Sequence, residues 1–310
     1  MLTILIFLIL FTSHSNAKNC LSFLPYGFNG SYVHLPQNTS FCVKQGKKVS
    51  EYQTDNYGGR LLDGANSNNE IQVFGDSQVL GLDINKTKHH YLSNIYDDYN
   101  FIIYAAPNNG PYEVINFLNK NEKILKKRIT VTFNFSTDIY RIKSYWSPKN
   151  FVALRDYELN EILEHPLKYK LIVFKNLLLN KNFTISRYDN KKMQDLFLNS
   201  NKKNLKKYLI KYFGKLNETA IKMNLEIDFI VTHPYWVYTT DKKNKKLILN
   251  QKLNNDVETL ICSSFQSTEK VSKIFISQVP KILKLGDLTT DKRHLKSKKI
   301  KLKRFSNVCK

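Results

Sequence analysis

Acidic residues are scarce in this chain. There are 26 Asp and Glu against 48 Lys and Arg, a formal net charge of +22 over 310 residues. Such a balance favours anionic partners, whether nucleic acid, anionic lipid or acidic polysaccharide. The accompanying abundance of Lys, Asn, Ile and Tyr also fits the bias of an AT-rich genome. Zinc-finger spacing, an aromatic RNA-binding motif and a basic zipper are all lacking, so nucleic acid is not the expected partner. Cysteine is sparse, at four, and no CxxC occurs, which leaves no redox pair and no structural zinc site. His and Asp stand at no ligand spacing, so neither metal nor cofactor is expected. No internal repeat is visible.

What is present begins with an apolar run, Leu2 to Phe11, followed by Thr12-Ser13-His14-Ser15-Asn16-Ala17. Ser15 and Ala17 suit signal-peptidase cleavage after Ala17. The run is shorter than the about 20 residues of a membrane-crossing helix. No Lys or Arg precedes it, so an uncleaved N-terminal anchor is the alternative. The expected location is secreted, periplasmic or cell-envelope. Cys20, Cys42, Cys262 and Cys309 fit an oxidising compartment. Of three possible pairings, Cys20–Cys42 with Cys262–Cys309 would tie down both ends of the mature chain; free thiols are the alternative.

Residues 18–68 show no sustained period and read as an irregular extension, with short strands near Ser31–His34 and Ser40–Val43. From about 69 the pattern becomes α/β. Apolar strands are expected at Ile71–Phe74, Phe101–Ala106, Arg128–Phe135, Ile227–Val231 and Lys273–Ser277. Tyr112 to Leu125 reads as the crossover helix of a parallel sheet. A mainly helical insert runs over about 150–225, with helical spacing in Asp156–Leu179 and Lys191–Leu225. A further helix is expected from about Asn255 to Ser272. The domain scheme is therefore 1–17 signal, 18–68 extension and 69–310 α/β domain.

Chemistry would gather beyond the carboxyl ends of such strands. The first strand ends in Gly75-Asp76-Ser77, and a helix-compatible segment follows. Ser77 there is either a nucleophile beside backbone N–H donors or a helix cap. Near the C-terminus, Asp291 and His294 stand three apart. On a helical turn they share a face, so the carboxylate can orient the imidazole as a base. Otherwise they belong to a charged surface loop.

Together these blocks resemble the SGNH/GDSL hydrolase superfamily over most of residues 70–296. Gly75-Asp76-Ser77 matches its first block, with Gln78 where many members have Leu. Asp291-Lys292-Arg293-His294 matches its last, and the continuation into Leu295 is similar to domains acting on polysaccharide acyl groups. The resemblance implies a flavodoxin-like three-layer α/β sandwich with a mostly parallel five-stranded sheet. It implies Ser77 as nucleophile, His294 as base and Asp291 as its partner. It implies oxyanion donors at Ser77 and Gly110 through backbone N–H and at Asn134 through its side chain. The block around Thr132-Phe133-Asn134-Phe135 lacks the family's glycine and aspartate. Gly110 in Pro107–Pro111 also reads as a plain turn, and Asn134 as a strand-end cap.

His233, after the fourth strand, is a candidate substrate contact or a structural histidine. His89-His90 reads as a solvated loop. The tail from Lys292 to Arg304 carries eight Lys and Arg and reads as a solvated basic segment or an attractor of acidic glycan. The function expected is an exported serine esterase or O-acyl transferase, acting on acylated carbohydrate or a small ester, with an anionic polysaccharide or membrane surface as a further partner. The alternative is a non-catalytic envelope protein of the same scaffold that binds anionic glycan or lipid.

Overall fold

The structure is a computed structural model and describes residues 20–21, 24–28, 31–45, 48–63, 69–81, 84–97, 99–106, 109–142, 190–241, 243–278, 280–284, 287 and 299–309. The expected signal segment, the helix expected at Asp156–Leu179, and both Asp291 and His294 lie outside the described residues.

Fourteen strands are described. The N-terminal part forms two antiparallel pairs, β1 (Gly27–Phe28) with β2 (Val33–His34) and β3 (Ser40–Gln45) with β4 (Lys48–Gln53). The central sheet takes β5 (Arg60–Leu62), β6 (Glu70–Gly75), β7 (Asn100–Ala105), β8 (Arg128–Asn134) and β9 (Glu226–Thr232). A small sheet is built from β10 (Tyr238–Asp241), β11 (Lys246–Leu249) and β13 (Ile282–Lys284), while β12 (Lys273–Gln278) and β14 (Lys301–Arg304) complete the central one. The helices used below are α1 (Ser77–Leu80), α2 (Pro111–Lys120), α3 (Asp138–Arg141), α4 (Asn190–Leu198), α5 (Lys202–Lys222) and α6 (Gln251–Ser264).

The central sheet has seven strands in the order β14-β12-β9-β8-β6-β7-β5. The five inner strands are the five expected ones, and they are mutually parallel. The sheet is larger than expected because each edge gains an antiparallel strand, β5 on β7 and β14 on β12. The extension is therefore not irregular: it supplies two hairpins and an edge of the main sheet. Likewise Lys301 to Arg304, read as a solvated tail, is a ladder strand, with Lys301, Lys303 and Arg304 exposed. Charged edges of this kind discourage pairing with other chains.

Side chains alternate between the sheet faces, as the two-residue period of a strand requires. On one face Phe229 of β9 meets Phe213 of α5 at 5.1 Å and Phe265 after α6 at 5.2 Å. Phe74 of β6 meets Phe117 of α2 on the same face at 5.3 Å. On the other, Phe101 of β7 packs edge-on against His90 and Tyr96 in the short turns after α1. The helix expected over Tyr112–Leu125 stops at Lys120, where Asn121 ends it, and a 3-10 turn covers Glu122–Ile124. The helix expected at Asn255–Ser272 starts earlier, at Gln251, because Asn250 caps it by accepting the Leu253 N–H, and it ends at Ser264. Disulfides join Cys20 to Cys42 and Cys262 to Cys309. Two disulfides fit an oxidising environment. No helix among the described residues is long and apolar enough to cross a membrane.

Phe229 is fully buried in the aromatic cluster. Phe229→Ala is expected to destabilise the protein by about 3–5 kcal/mol. The check is the urea midpoint at constant slope, and a midpoint unchanged from wild type would contradict the packing described.

Candidate active site

β6 is the strand at which the order of the sheet reverses: β7 lies on one side of it and β8 on the other. A crevice opens beyond the carboxyl end of such a strand. Ser77 stands there, as the first residue of α1. The turn is built by its neighbours. Gly75 lies so close to β8 that a Cβ would overlap the Thr132 hydroxyl, so only glycine fits. Asp76 is extended, at φ −101° and ψ −163°, and its Oδ1 accepts the Gln78 N–H at 2.8 Å. Gly81 ends the helix in the left-handed region at φ 65°, where glycine carries no Cβ penalty.

Two buried side chains pin the other end of α1. Arg60, fully buried on β5, donates from one guanidinium nitrogen to the carbonyls of Leu80 at 2.8 Å and Gly81 at 2.7 Å. Its second terminal nitrogen donates to Glu51 O at 3.0 Å and to Ile84 O. The guanidinium lies 4.1 Å above the Tyr52 ring. Burial lowers the Arg60 pKa, and the carbonyls solvate the charge instead of water. His90 shares this task, with its Nε2 2.7 Å from Val79 O. Its Nδ1 accepts the Leu92 N–H at 3.2 Å, so the proton sits on Nε2 and the ring is neutral. Burial holds its pKa down to about 4, and the Arg60 charge acts in the same direction against the bond to Val79. The reading of His90 as part of a solvated loop is thus corrected: it is buried beneath α1.

Asp76 also joins the Ser77 turn to the loop after β8. Its Oδ2 accepts from Asn134 Nδ2 at 2.9 Å and from Thr137 Oγ1 at 3.2 Å. Asn134 Oδ1 accepts the Ser136 N–H at 3.1 Å, which fixes the orientation of the amide. An amide carries two N–H groups, and among the described residues one of them is given to Asp76. The Asn134 backbone N–H donates to Asp138 Oδ2 at 2.8 Å. Arg141 reaches all three loops. It donates to Asp138 Oδ1 at 3.1 Å and to Asn109 O at 2.8 Å, and lies 3.8 Å from Asp76 Oδ2. Burial first, and the Asp76 charge second, push the Asp138 pKa well up; Arg141 and the Asn134 N–H oppose them.

Gly110 is placed differently from its implied role. It caps α2, and its N–H is donated to Glu113 Oε2 at 3.1 Å. A Cβ would stand 2.7 Å from that oxygen and 3.2 Å from Arg141 Cδ, so the glycine makes room for a buried carboxyl. Burial raises the Glu113 pKa. The donor expected for an oxyanion is already engaged. Beside it Asn109, buried and not singled out from sequence, accepts the Val33 N–H and donates to Gly75 O, both at 3.3 Å.

His233 follows β9 and is buried. Its N–H donates to Ser277 Oγ at 2.7 Å, and its Nε2 lies 3.5 Å from Glu258 Oε1. The Glu258 carboxyl is held below its usual pKa, chiefly by His233. His233 lines a small pocket with Gln78, Asn134, Thr232 and Ser277. The structure thus brings Ser77's turn, Asn134 and His233 to one sheet edge. Among the described residues, no group of three or more His, Cys, Asp or Glu is placed to hold a metal ion.

Arg60, His90, Asn109 and Arg141 were missed by sequence reasoning. Of these only Arg141 carried a signal, as the opposite charge three residues after Asp138 in the segment that follows β8. No protein-family model matches this chain, and no curated protein does. Among solved structures, the lipase Lip_vut3 from a goat rumen metagenome is similar at 12% identity and a TM-score of 0.37, covering 74% of this chain and 91% of that one. The functional reading rests on the residues and not on this likeness.

Because His90 is neutral when folded down to about pH 4 but takes a proton near 6.5 when unfolded, the unfolded state binds more protons between those values. Stability from this group is therefore full above pH 6.5 and falls by up to about 3 kcal/mol as the pH drops toward 4. His90→Gln should flatten urea-derived stability between pH 7 and 4.5 relative to wild type. Parallel profiles for the two proteins would sink the assignment.

Proposed function

We propose that the chain is an exported serine esterase or O-acyl transferase of the SGNH/GDSL type, acting through Ser77 on ester-linked acyl groups of cell-envelope or extracellular polysaccharide. The observation that carries this reading is the hydrogen bond from Asn134 to Asp76, which couples the Gly-Asp-Ser turn to the Asn-bearing strand end. Export is supported by the N-terminal apolar run and the two disulfides.

In the proposed mechanism His294, oriented by Asp291, takes the hydroxyl proton as Ser77 Oγ attacks the ester carbonyl. The tetrahedral oxyanion is met by the Ser77 N–H and the second amide proton of Asn134. Gly110 would join them only after Glu113 released its N–H. The C–O bond to the alcohol breaks, and His294 passes its proton to the leaving oxygen. Water, or a sugar hydroxyl in a transferase, then attacks the acyl-enzyme by the same route and frees Ser77.

A second reading is favoured by α5. Lys203, Lys207, Lys211 and Lys215 recur every fourth residue on its exposed side, and Glu218 is the helix's only acid. Like charges at this spacing cost the helix a few tenths of a kcal/mol per pair, which an anionic surface would offset. On that reading the protein binds anionic glycan or lipid without turnover.

Ser77→Ala and His294→Ala should each lower hydrolysis of a short-chain p-nitrophenyl ester by at least about 1,000-fold, and Ser77→Ala should abolish labelling by a fluorophosphonate. Asn134→Ala should cost about 100-fold in kcat. Wild type that neither hydrolyses nor labels, yet is retained on an anionic glycan in a salt-sensitive way, would establish the second reading instead.

A further inference from the structure

The small sheet stands at the rim of the edge that carries Ser77. β9 ends at Thr232 and β10 begins at Tyr238; β12 ends at Gln278 and β13 begins at Ile282. β9 and β12 are parallel neighbours in the central sheet, so both connections leave its carboxyl edge. Register gives the small sheet two unlike faces. Leu247 and Leu283 pair across β11 and β13 and are buried against the protein. The alternate positions face water. There Ile248 pairs with Ile282, at 44% and 58% exposed, and Lys246 pairs with Lys284, both exposed. Asp241, opposite Lys246 on β10, accepts from Asn244 of the hairpin turn at both carboxylate oxygens.

α4 adjoins the same rim. Its Phe197 packs 5.0 Å from Trp236, in the 3-10 turn that leads into β10, and it exposes Leu196 and Leu198. Of the eight large apolar side chains exposed among the described residues, four are therefore on these two elements.

We propose that the small sheet docks on an anionic lipid surface, with Ile248 and Ile282 entering the headgroup boundary and Lys246 and Lys284 meeting lipid phosphates. Both features cost the free protein something. Directly opposed like charges weaken a strand pair, and an exposed aliphatic pair keeps apolar area in water. An anionic bilayer relieves both at once: phosphate neutralises the ammonium groups, and the acyl boundary receives the isoleucines. Other occupants fit less well. An acidic glycan answers the lysines, but its hydroxyls give aliphatic side chains nothing apolar to bury against. A second copy of the chain would set lysine pair against lysine pair across a two-fold axis, on a molecule of net charge +22. The inference goes beyond the esterase reading, because the surface exists whether or not Ser77 turns over an ester. It is also separate from the lysine row of α5. A protein docked this way holds the edge that carries Ser77 and Asn134 beside the bilayer.

The test is co-sedimentation of the full mature chain with vesicles of phosphatidylglycerol and phosphatidylcholine, and with phosphatidylcholine vesicles alone. Wild type should bind the anionic vesicles and lose most of that binding on phosphatidylcholine or in high salt. Ile248→Ser/Ile282→Ser should weaken partitioning at least about tenfold. Lys246→Gln/Lys284→Gln should weaken it by about tenfold or more. Lys207→Gln/Lys211→Gln on α5, which removes the same charge elsewhere, should weaken it by less than about threefold. The substituted side chains are exposed, so the urea midpoint should match wild type in every variant. Ile282→Trp should gain a blue-shifted emission on anionic vesicles that wild type lacks. No vesicle binding by wild type, equal losses in the sheet and α5 pairs, or no such shift would each overturn the proposal. So would retention on an acidic glycan without vesicle binding. Vesicle binding with no ester hydrolysis supports the docking surface and counts against the esterase reading alone.

Discussion

The buried carboxylate of Asp76 is the interaction on which the site depends. It is 2% exposed and accepts from the Gln78 N–H, the Asn134 amide and the Thr137 hydroxyl. Taking a carboxylate out of water costs several kcal/mol. Hydrogen bonds to a charged acceptor return about 1.5–3 kcal/mol each. Losing one partner would leave the charge under-solvated, so the turn and the β8 loop must keep their relative position. The reactive geometry proposed for Ser77 and Asn134 thus follows from the solvation needs of a residue that does no chemistry.

Asp76 is not alone. Asp138 and Glu113 are buried within the same cluster, and Arg141 is the cation that reaches Asp76 and Asp138. Backbone donors at Gln78, Asn134 and Gly110 do much of the remaining work. The opposite end of α1 shows the converse arrangement, a buried cation solvated by carbonyls. Arg60 there belongs to the N-terminal part of the chain, which makes β5 and its hairpins a structural part of the site.

The five parallel strands were legible because β-branched and aromatic residues dominate each of them, even where a buried Gln72, Thr130, Thr132 or Asp228 interrupts the run. The edge strands were not. Lys301–Arg304 reads as a basic tail because an edge strand shows water much of its length, and Arg60–Leu62 is too short to carry a period. The Gly-Asp-Ser turn was legible from its residue types. His90 was not, since nothing local distinguishes it from exposed His89; only tertiary packing decides which of the two is buried. The engagement of Gly110 was visible in principle, because Glu113 stands three residues on, at the reciprocal capping position. Reading the glycine as a donor overlooked that nearer competitor.

The pairing of Gln278 with Lys301 closes a loop in the path of the chain: it leaves β12 and returns to the same strand's edge. Part of that excursion, β13, is anchored on β11 in the small sheet. The sequence positions of Asp291 and His294 fall between these two anchors. The two anchors thus act as a clamp, holding both ends of the span that carries the proposed base and its partner to a rigid framework.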